Sequence, residues 1–157
     1  MKIKLLAIGK TDKSALQQLT EIYSQRLNHY VNFEVEFIPD VKNSKNLSNE
    51  LQKKKEGELL LNKFNTSDFI ILLDEKGKEF TSVQFSNQLQ KWMNSGIKTL
   101  VFVIGGPYGF DRIIYTKAQQ KIALSQMTFS HQMIRLFFTE QLYRAFTILK
   151  NEPYHHQ

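Results

Sequence analysis

Gly105-Gly106-Pro107-Tyr108-Gly109 follows directly on an unbroken apolar run, Leu100 to Ile104. A strand buried on both faces reads as continuous Val/Ile/Phe rather than as alternation. Glycines just beyond such a strand let a ligand approach backbone that a Cβ would block. Further on, Ser125, Gln126, Thr128, Ser130, His131 and Gln132 are interleaved with Met127 and Phe129, a mixture that offers polar groups and apolar walls to a flat heterocycle. The two stretches predict a small-molecule pocket at the carboxyl ends of a parallel sheet. Asp74 follows the apolar run Phe69 to Leu73 and reads equally as a ligand for a ribose hydroxyl or amine and as a turn former. The tail, Asn151 to Gln157, carries Tyr154, His155 and His156. A tyrosine beside a histidine can stack on a base and handle a proton, whereas the bland reading is a frayed terminus. His131, in the first turn of a helix, is on residue type alone more often structural than catalytic.

The elements that must position these residues are legible. Lys2 to Ile8, Phe33 to Ile38, Phe69 to Leu73 and Thr99 to Ile104 read as strands, with a short fifth near Ile122 to Leu124. Lys13 to Tyr30, Leu51 to Phe64 and Ser82 to Asn94 read as helices, the third capped by Thr81 or Ser82 and ended by Gly96. Asn43 to Asn49 reads as a loop, and Asp74-Glu75-Lys76-Gly77-Lys78 as a turn. Ser130 can cap a last helix reaching about Lys150. Strands alternating with helices predict one α/β domain over 1–157, its mostly parallel sheet covered by helices on both faces. In the last helix Ile134, Phe138, Leu142, Ala145 and Leu149 share one side, and Met133, Leu136, Tyr143 and Thr147 the other. A helix apolar nearly all round is buried all round, which points to a two-fold dimer contact, with Arg135 and Arg144 near the edges of those faces.

Composition narrows the chemistry. The chain has no cysteine, which removes disulfides, thiolate metal sites and cysteine nucleophiles. A net charge of +6 makes polyanions the first partners to consider. The start lacks a signal-peptide pattern and no apolar stretch is long enough to span a membrane, so a cytoplasmic protein without a membrane partner is expected. The glycine loop is neither G-x-G-x-x-G nor a phosphate loop. No Ser-His-Asp set, H-E-x-x-H motif or metal-ligand spacing stands out.

Taken together, Val101 to Gly109, Leu124 to Met133, Glu140-Gln141-Leu142-Tyr143-Arg144-Ala145, Tyr154-His155-His156 and the opening Met1 to Lys10 resemble the ribosomal RNA large subunit methyltransferase H family, small SPOUT-class enzymes that methylate N3 of a pseudouridine. The resemblance covers the whole chain; one departure is Ser130, where the family usually has proline. It implies a C-terminal deep trefoil knot, which ordinary connection rules would not suggest. It implies S-adenosylmethionine as methyl donor, S-adenosylhomocysteine as product and no metal. It also implies a homodimer whose sites are lined by both chains, and a substrate in helix 69 of the 23S rRNA on the assembled ribosome rather than DNA. By position, Leu73, Gly105, Leu124, Ser125, Gln126, Met127, Thr128 and Phe129 would contact the cofactor. In-line transfer requires N3 to lose its proton, and a fixed cation favours the resulting anion. Arg144, Tyr154 and His155 are the catalytic candidates on that reading, with His131 and Arg135 as substrate-binding candidates. Two alternatives are a SPOUT methyltransferase acting on transfer RNA and a non-catalytic basic RNA-binding module.

Overall fold

A computed structural model of the chain describes residues 1–11, 14–42 and 44–156. Lys13, Asn43 and Gln157, each at one end of an expected element or tail, lie outside the described residues. The chain runs β1 (Lys2–Ile8), α1 (Ser14–Leu27), β2 (Asn32–Ile38), a 3-10 turn (Ser44–Asn46), α2 (Asn49–Leu61), β3 (Asp68–Glu79), α3 (Ser82–Asn94), β4 (Thr99–Ile104), α4 (Arg112–Lys117), β5 (Gln120–Ala123) and α5 (Met133–Leu149). Five strands form one sheet in the order β2-β1-β4-β3-β5, and every neighbouring pair is parallel. Among the described residues no helix is long and apolar enough to cross a membrane.

Because successive strand residues point to opposite faces, the apolar runs of β1 and β4 feed two cores. Ile3, Leu5, Leu100, Phe102 and Ile104 pack under α1, α3 and α5 with Leu27, Leu89, Trp92, Phe138 and Leu142. Leu6, Ile8, Val101 and Val103 pack on the other face with Leu60 of α2 and Ile114 of α4. The chain therefore leaves β3 for a helix on one face and β4 for a helix on the other. Adjacent strands whose connections diverge in this way open a crevice at their carboxyl ends.

One expectation is corrected, and two features were not foreseen. Residues 74–78 are not a turn: β3 continues to Glu79, with a register shift on β5 between Leu73 and Lys78. Gly77 has no room for a side chain, since a Cβ there would lie 2.4–2.6 Å from the backbone of Ile122. The short helix α4 escaped notice, although Asp111 caps it by accepting the Ile113 N–H at 2.9 Å. And α5 is covered in part by its own chain, with Phe137 left 37% exposed. It lies against both α1 and α3 of its own chain, with Tyr143 packed on Tyr23 and Tyr30, and Ser82 donating to Gln141 at 2.9 Å.

Other local signals at α3 act as anticipated. Thr81 and Gln84 form a capping box, and Gly96 takes a φ of 79° just past its end. At α5 the expected cap shifts: the N-cap residue is Gln132, which makes no side-chain capping bond, while Ser130 Oγ, two residues earlier, accepts the Met133 N–H at 3.2 Å. Gly77→Ala is expected to destabilise the protein by about 1–3 kcal/mol, the usual cost of overpacking, because backbone cannot yield as a side chain can. Denaturant titration of the variant beside wild type measures this.

Candidate active site

The crevice holds a cavity of about 590 Å³ at the carboxyl ends of β3, β4 and β5, within the range of small-molecule sites. Leu73, Ile104, Ile122 and Leu124 make apolar walls, and the 105–110 and 123–131 segments close over them. Leu73, Gly105, Leu124, Ser125, Met127, Thr128 and Phe129 all line this cavity, as does His131. Gln126 does not; its amide reaches Glu79 at 3.4 Å instead. Both loops are folded. Gly109, at a φ of 79°, donates to the Gly106 carbonyl at 3.2 Å, a backbone conformation that favours glycine. Ser125 Oγ accepts the Met127 N–H at 2.9 Å, leaving the Met127 side chain 76% exposed.

The glycines face protein as well as cavity. A Cβ on Gly105 would press on the Phe110 ring at 3.0–3.3 Å, and one on Gly106 would meet the Glu56 carboxylate at 2.5–2.6 Å. Asp74 also lines the cavity, but its carboxylate is engaged: Oδ1 accepts the Lys76 N–H at 2.8 Å and Oδ2 the Tyr115 hydroxyl at 2.5 Å. Burial, reinforced by Asp74, holds the Tyr115 phenol well above its ordinary pKa, so it serves as a neutral donor.

Arg135 is not at an edge. It is wholly buried, donating from Nη2 to the Ile8 carbonyl at 2.6 Å and from Nη1 to Thr11 Oγ1 at 2.9 Å, with its guanidinium over Phe37. Both bonds are to its own chain, and the expected contact with substrate would require them to open.

Arg144, Tyr154 and His155 come together, and the tail is no frayed end. Glu140 Oε1 accepts from Arg144 Nε at 3.1 Å, from Arg144 Nη2 at 2.6 Å and from the Tyr154 hydroxyl at 2.9 Å. The Tyr154 ring stands edge-on to Tyr143 with centroids 4.8 Å apart, under the Arg144 guanidinium. The Tyr30 hydroxyl donates to Glu152. Arg144 Nη1 lies 3.3 Å from His155 Nδ1. A guanidinium only donates, so Nδ1 accepts and the ring proton sits on Nε2, which is buried without a hydrogen-bond partner among the described residues. Burial, then the hydrogen bonds with Tyr23 and Glu140, raise the Tyr154 pKa far above neutrality. None of the three lines the cavity. Ile134 is the last α5 residue that does, and Arg144 lies about 15 Å further along the axis at the helical rise per residue.

With this geometry in view, the comparisons decide the family. The family described as "Predicted SPOUT methyltransferase" matches residues 1–155. The chain belongs to the SPOUT methyltransferase family. It is 67% identical to a protein of Flavobacterium johnsoniae, 68% to one of Flavobacterium psychrophilum and 64% to one of Christiangramia forsetii, each over 100% of both chains. All three are named "Ribosomal RNA large subunit methyltransferase H". Methyltransferases of this class use S-adenosylmethionine, so this SPOUT methyltransferase has a cavity of suitable size for its donor and a separate polar cluster on α5 and the tail.

Sequence reasoning passed over Glu56 and Tyr115. Tyr115 follows a helix cap that was readable at Asp111. Glu56 sits in Lys53-Lys54-Lys55-Glu56-Gly57-Glu58 and looked like part of a solvated face, yet it is 3% exposed. Burial, seconded by Asp40 and opposed by a hydrogen bond from Gln52, raises its pKa above the ordinary carboxylate value of 4.5. The folded state therefore holds this proton more tightly than the unfolded chain does. The associated stability is present below the unfolded pKa and is lost as pH rises through the folded one. Glu56→Gln is thus expected to melt higher than wild type at neutral pH, with the gap closing as pH falls toward the ordinary carboxylate range; thermal melts across that window read it directly.

Proposed function

We propose that this SPOUT methyltransferase transfers a methyl group to N3 of a pseudouridine in helix 69 of the 23S rRNA, on the assembled ribosome and hence in the cytoplasm. The observation that carries the reading is the cavity. The residues assigned to the cofactor by resemblance, distant in sequence and drawn from β3, β4 and the segment after β5, line one space between diverging connections. The names and identities of the full-length relatives support large-subunit ribosomal RNA as the substrate class.

The donor supplies an activated sulfonium methyl. The chain's own task is to hold it, align the target base and take the N3 proton. Leu73, Leu124 and Phe129 offer apolar surface to a flat ring, while backbone of 105–109 and 124–128 offers hydrogen bonds. In the α5 and tail cluster, Arg144 is neutralised by Glu140 and Tyr154 stays protonated. His155, with Nδ1 held by Arg144 and its Nε2–H without a hydrogen-bond partner among the described residues, can donate to a base; it can take the N3 proton only at Nδ1, once Arg144 releases it. Its distance from the cavity of its own chain supports the homodimer: each tail cluster serves the partner's cavity. His131, exposed beside the cavity mouth, is placed to meet the RNA. The knotted threading implied by the resemblance belongs to this proposal as well.

Ser125→Trp fills the cavity from a half-buried wall position. It is expected to weaken S-adenosylmethionine binding by tenfold or more, roughly the effect of losing a well-fitted contact, with the melting temperature kept. Calorimetric titration and melting curves check it. The activity itself is tested by transfer from methyl-labelled S-adenosylmethionine to ribosomes, free 23S rRNA and transfer RNA, followed by mapping of the modified nucleotide. Label confined to transfer RNA favours that alternative, and RNA binding without label favours the non-catalytic module.

The shared site has its own test. Arg144→Ala and Ser125→Trp chains are each expected to be inactive on ribosomes, whereas mixing them after mild dissociation restores activity in heterodimers that hold one intact site. No recovery, with heterodimers present by mass, places both functions in one chain.

A further inference from the structure

Helix α2 lies beneath the loop that follows β4, and its buried positions are Glu56, Gly57 and Leu60. Leu60 belongs to the core shared with Val103 and Ile114. Gly57 backs onto the residue that caps α4: a Cβ there would lie 3.0 Å from Asp111 Cβ. Glu56 faces Gly106, where both carboxylate oxygens lie within 2.6 Å of the place a Cβ would occupy. Gly106 itself lines the cavity. Glu56 therefore stands behind the cavity wall, one glycine away from whatever occupies it.

The side chain is held on one side only. Gln52 donates to Oε1 at 2.9 Å, while Oε2 is buried with no hydrogen-bond partner among the described residues. An unsatisfied buried acceptor is destabilising, and an apolar residue in the same space would avoid that cost. Among the described residues Glu56 makes no ion pair, and Lys53 of the same helix goes to Glu50. Its neighbours at the site, Gln52 and Gly106, suit a flat carboxyl group of that size: one donates to its edge and the other leaves room for its plane. A fold that needed only filling there would not need glycine opposite.

We propose that Glu56 is a positioning residue for the cofactor: wedged between Gln52 and Gly106, its carboxyl group sets the height of the 105–109 loop against the ligand. This rests on the cofactor occupying the cavity described above. Shape and the bond from Gln52 do the work, so a neutral group of the same outline serves as well as the acid.

The test uses full-length protein, S-adenosylmethionine titration and steady-state methylation of ribosomes. Glu56→Ala is expected to raise Kd and KM for S-adenosylmethionine by about tenfold, the scale of coupling between contacting residues, with kcat at saturating cofactor nearly kept. Glu56→Gln is expected to restore affinity to about twofold of wild type. Gly106→Ala alone is expected to weaken binding, but to cost little in the Glu56→Ala background, where the carboxyl no longer meets the added methyl. Wild-type affinity in folded Glu56→Ala overturns the proposal. So does a loss in kcat with KM unchanged, a Glu56→Gln protein as impaired as Glu56→Ala, or additive effects of the two substitutions. If Ser125→Trp leaves affinity intact while wild type binds, the cavity assignment fails, independently of what the Glu56 variants do.

Discussion

The passage of β3 against the edge strand is the constraint on which the site depends. β5 pairs with β3 at Leu73, loses register, and pairs again at Lys78 and Glu79. Between the two stretches Gly77 lies on the backbone of Ile122 with no space for even a methyl group. That contact pins the start of the 123–131 segment beside Leu73 and, through the β3–β4 ladder, beside Ile104 and Gly105. Without it the cavity would have two walls instead of three. The glycine loop after β4 is held from below by α2 and α4, so the site is enclosed by elements from both halves of the chain.

The chemistry is divided between two places. The cavity is walled by apolar side chains and backbone, with its one lining aspartate tied to Tyr115. The cluster on α5 and the tail gathers a guanidinium, a carboxylate, a phenol and an imidazole into one hydrogen-bonded set, in which Glu140 offsets the Arg144 charge. Bringing an anionic base to Arg144 therefore means competing with Glu140, which compensates the half-buried cation over the Tyr154 ring before substrate arrives. Separation of donor pocket and proton-handling groups is a natural arrangement for a two-fold assembly, where one chain's tail can reach another's cavity.

What was readable in the sequence follows from range. β1, β4 and the first part of β3 announce themselves because strands buried on both faces are continuous apolar runs. The helix cap at Thr81 is local and acts where expected, whereas α5 takes Gln132, two residues beyond Ser130, as its cap. The extension of β3 was taken for a turn because its residues, Asp, Glu, Lys, Gly and Lys, are those of a turn; only the meeting with Ile122 makes them a strand. The all-round apolarity of α5 was visible, but not that α1 and α3 would cover part of it. Cavity positions were legible through the resemblance, since nothing local ties Leu73 to Ser125. The tail's contacts with Tyr23 and Tyr30 span most of the chain, and Glu56 was hidden in a charged run.

Arg135 shows how the same residue type serves two ends. A lone arginine near a glycine-rich site invites a reading as an anion contact. Here the guanidinium instead meets the carbonyl of Ile8, at the carboxyl end of β1, and the hydroxyl of Thr11, and spreads over the Phe37 ring. A buried charge persists when its donors are satisfied, and removing such a partner is far more damaging than never having had it. The arginine thus ties the first turns of α5 to the end of a central strand. That tie sets one end of the span that Leu124 to Gln132 must cover, while the contact of Gly77 with Ile122 sets the other. The loop over the cavity is stretched between two fixed points, which is how a run of small polar residues holds a defined wall without regular structure of its own.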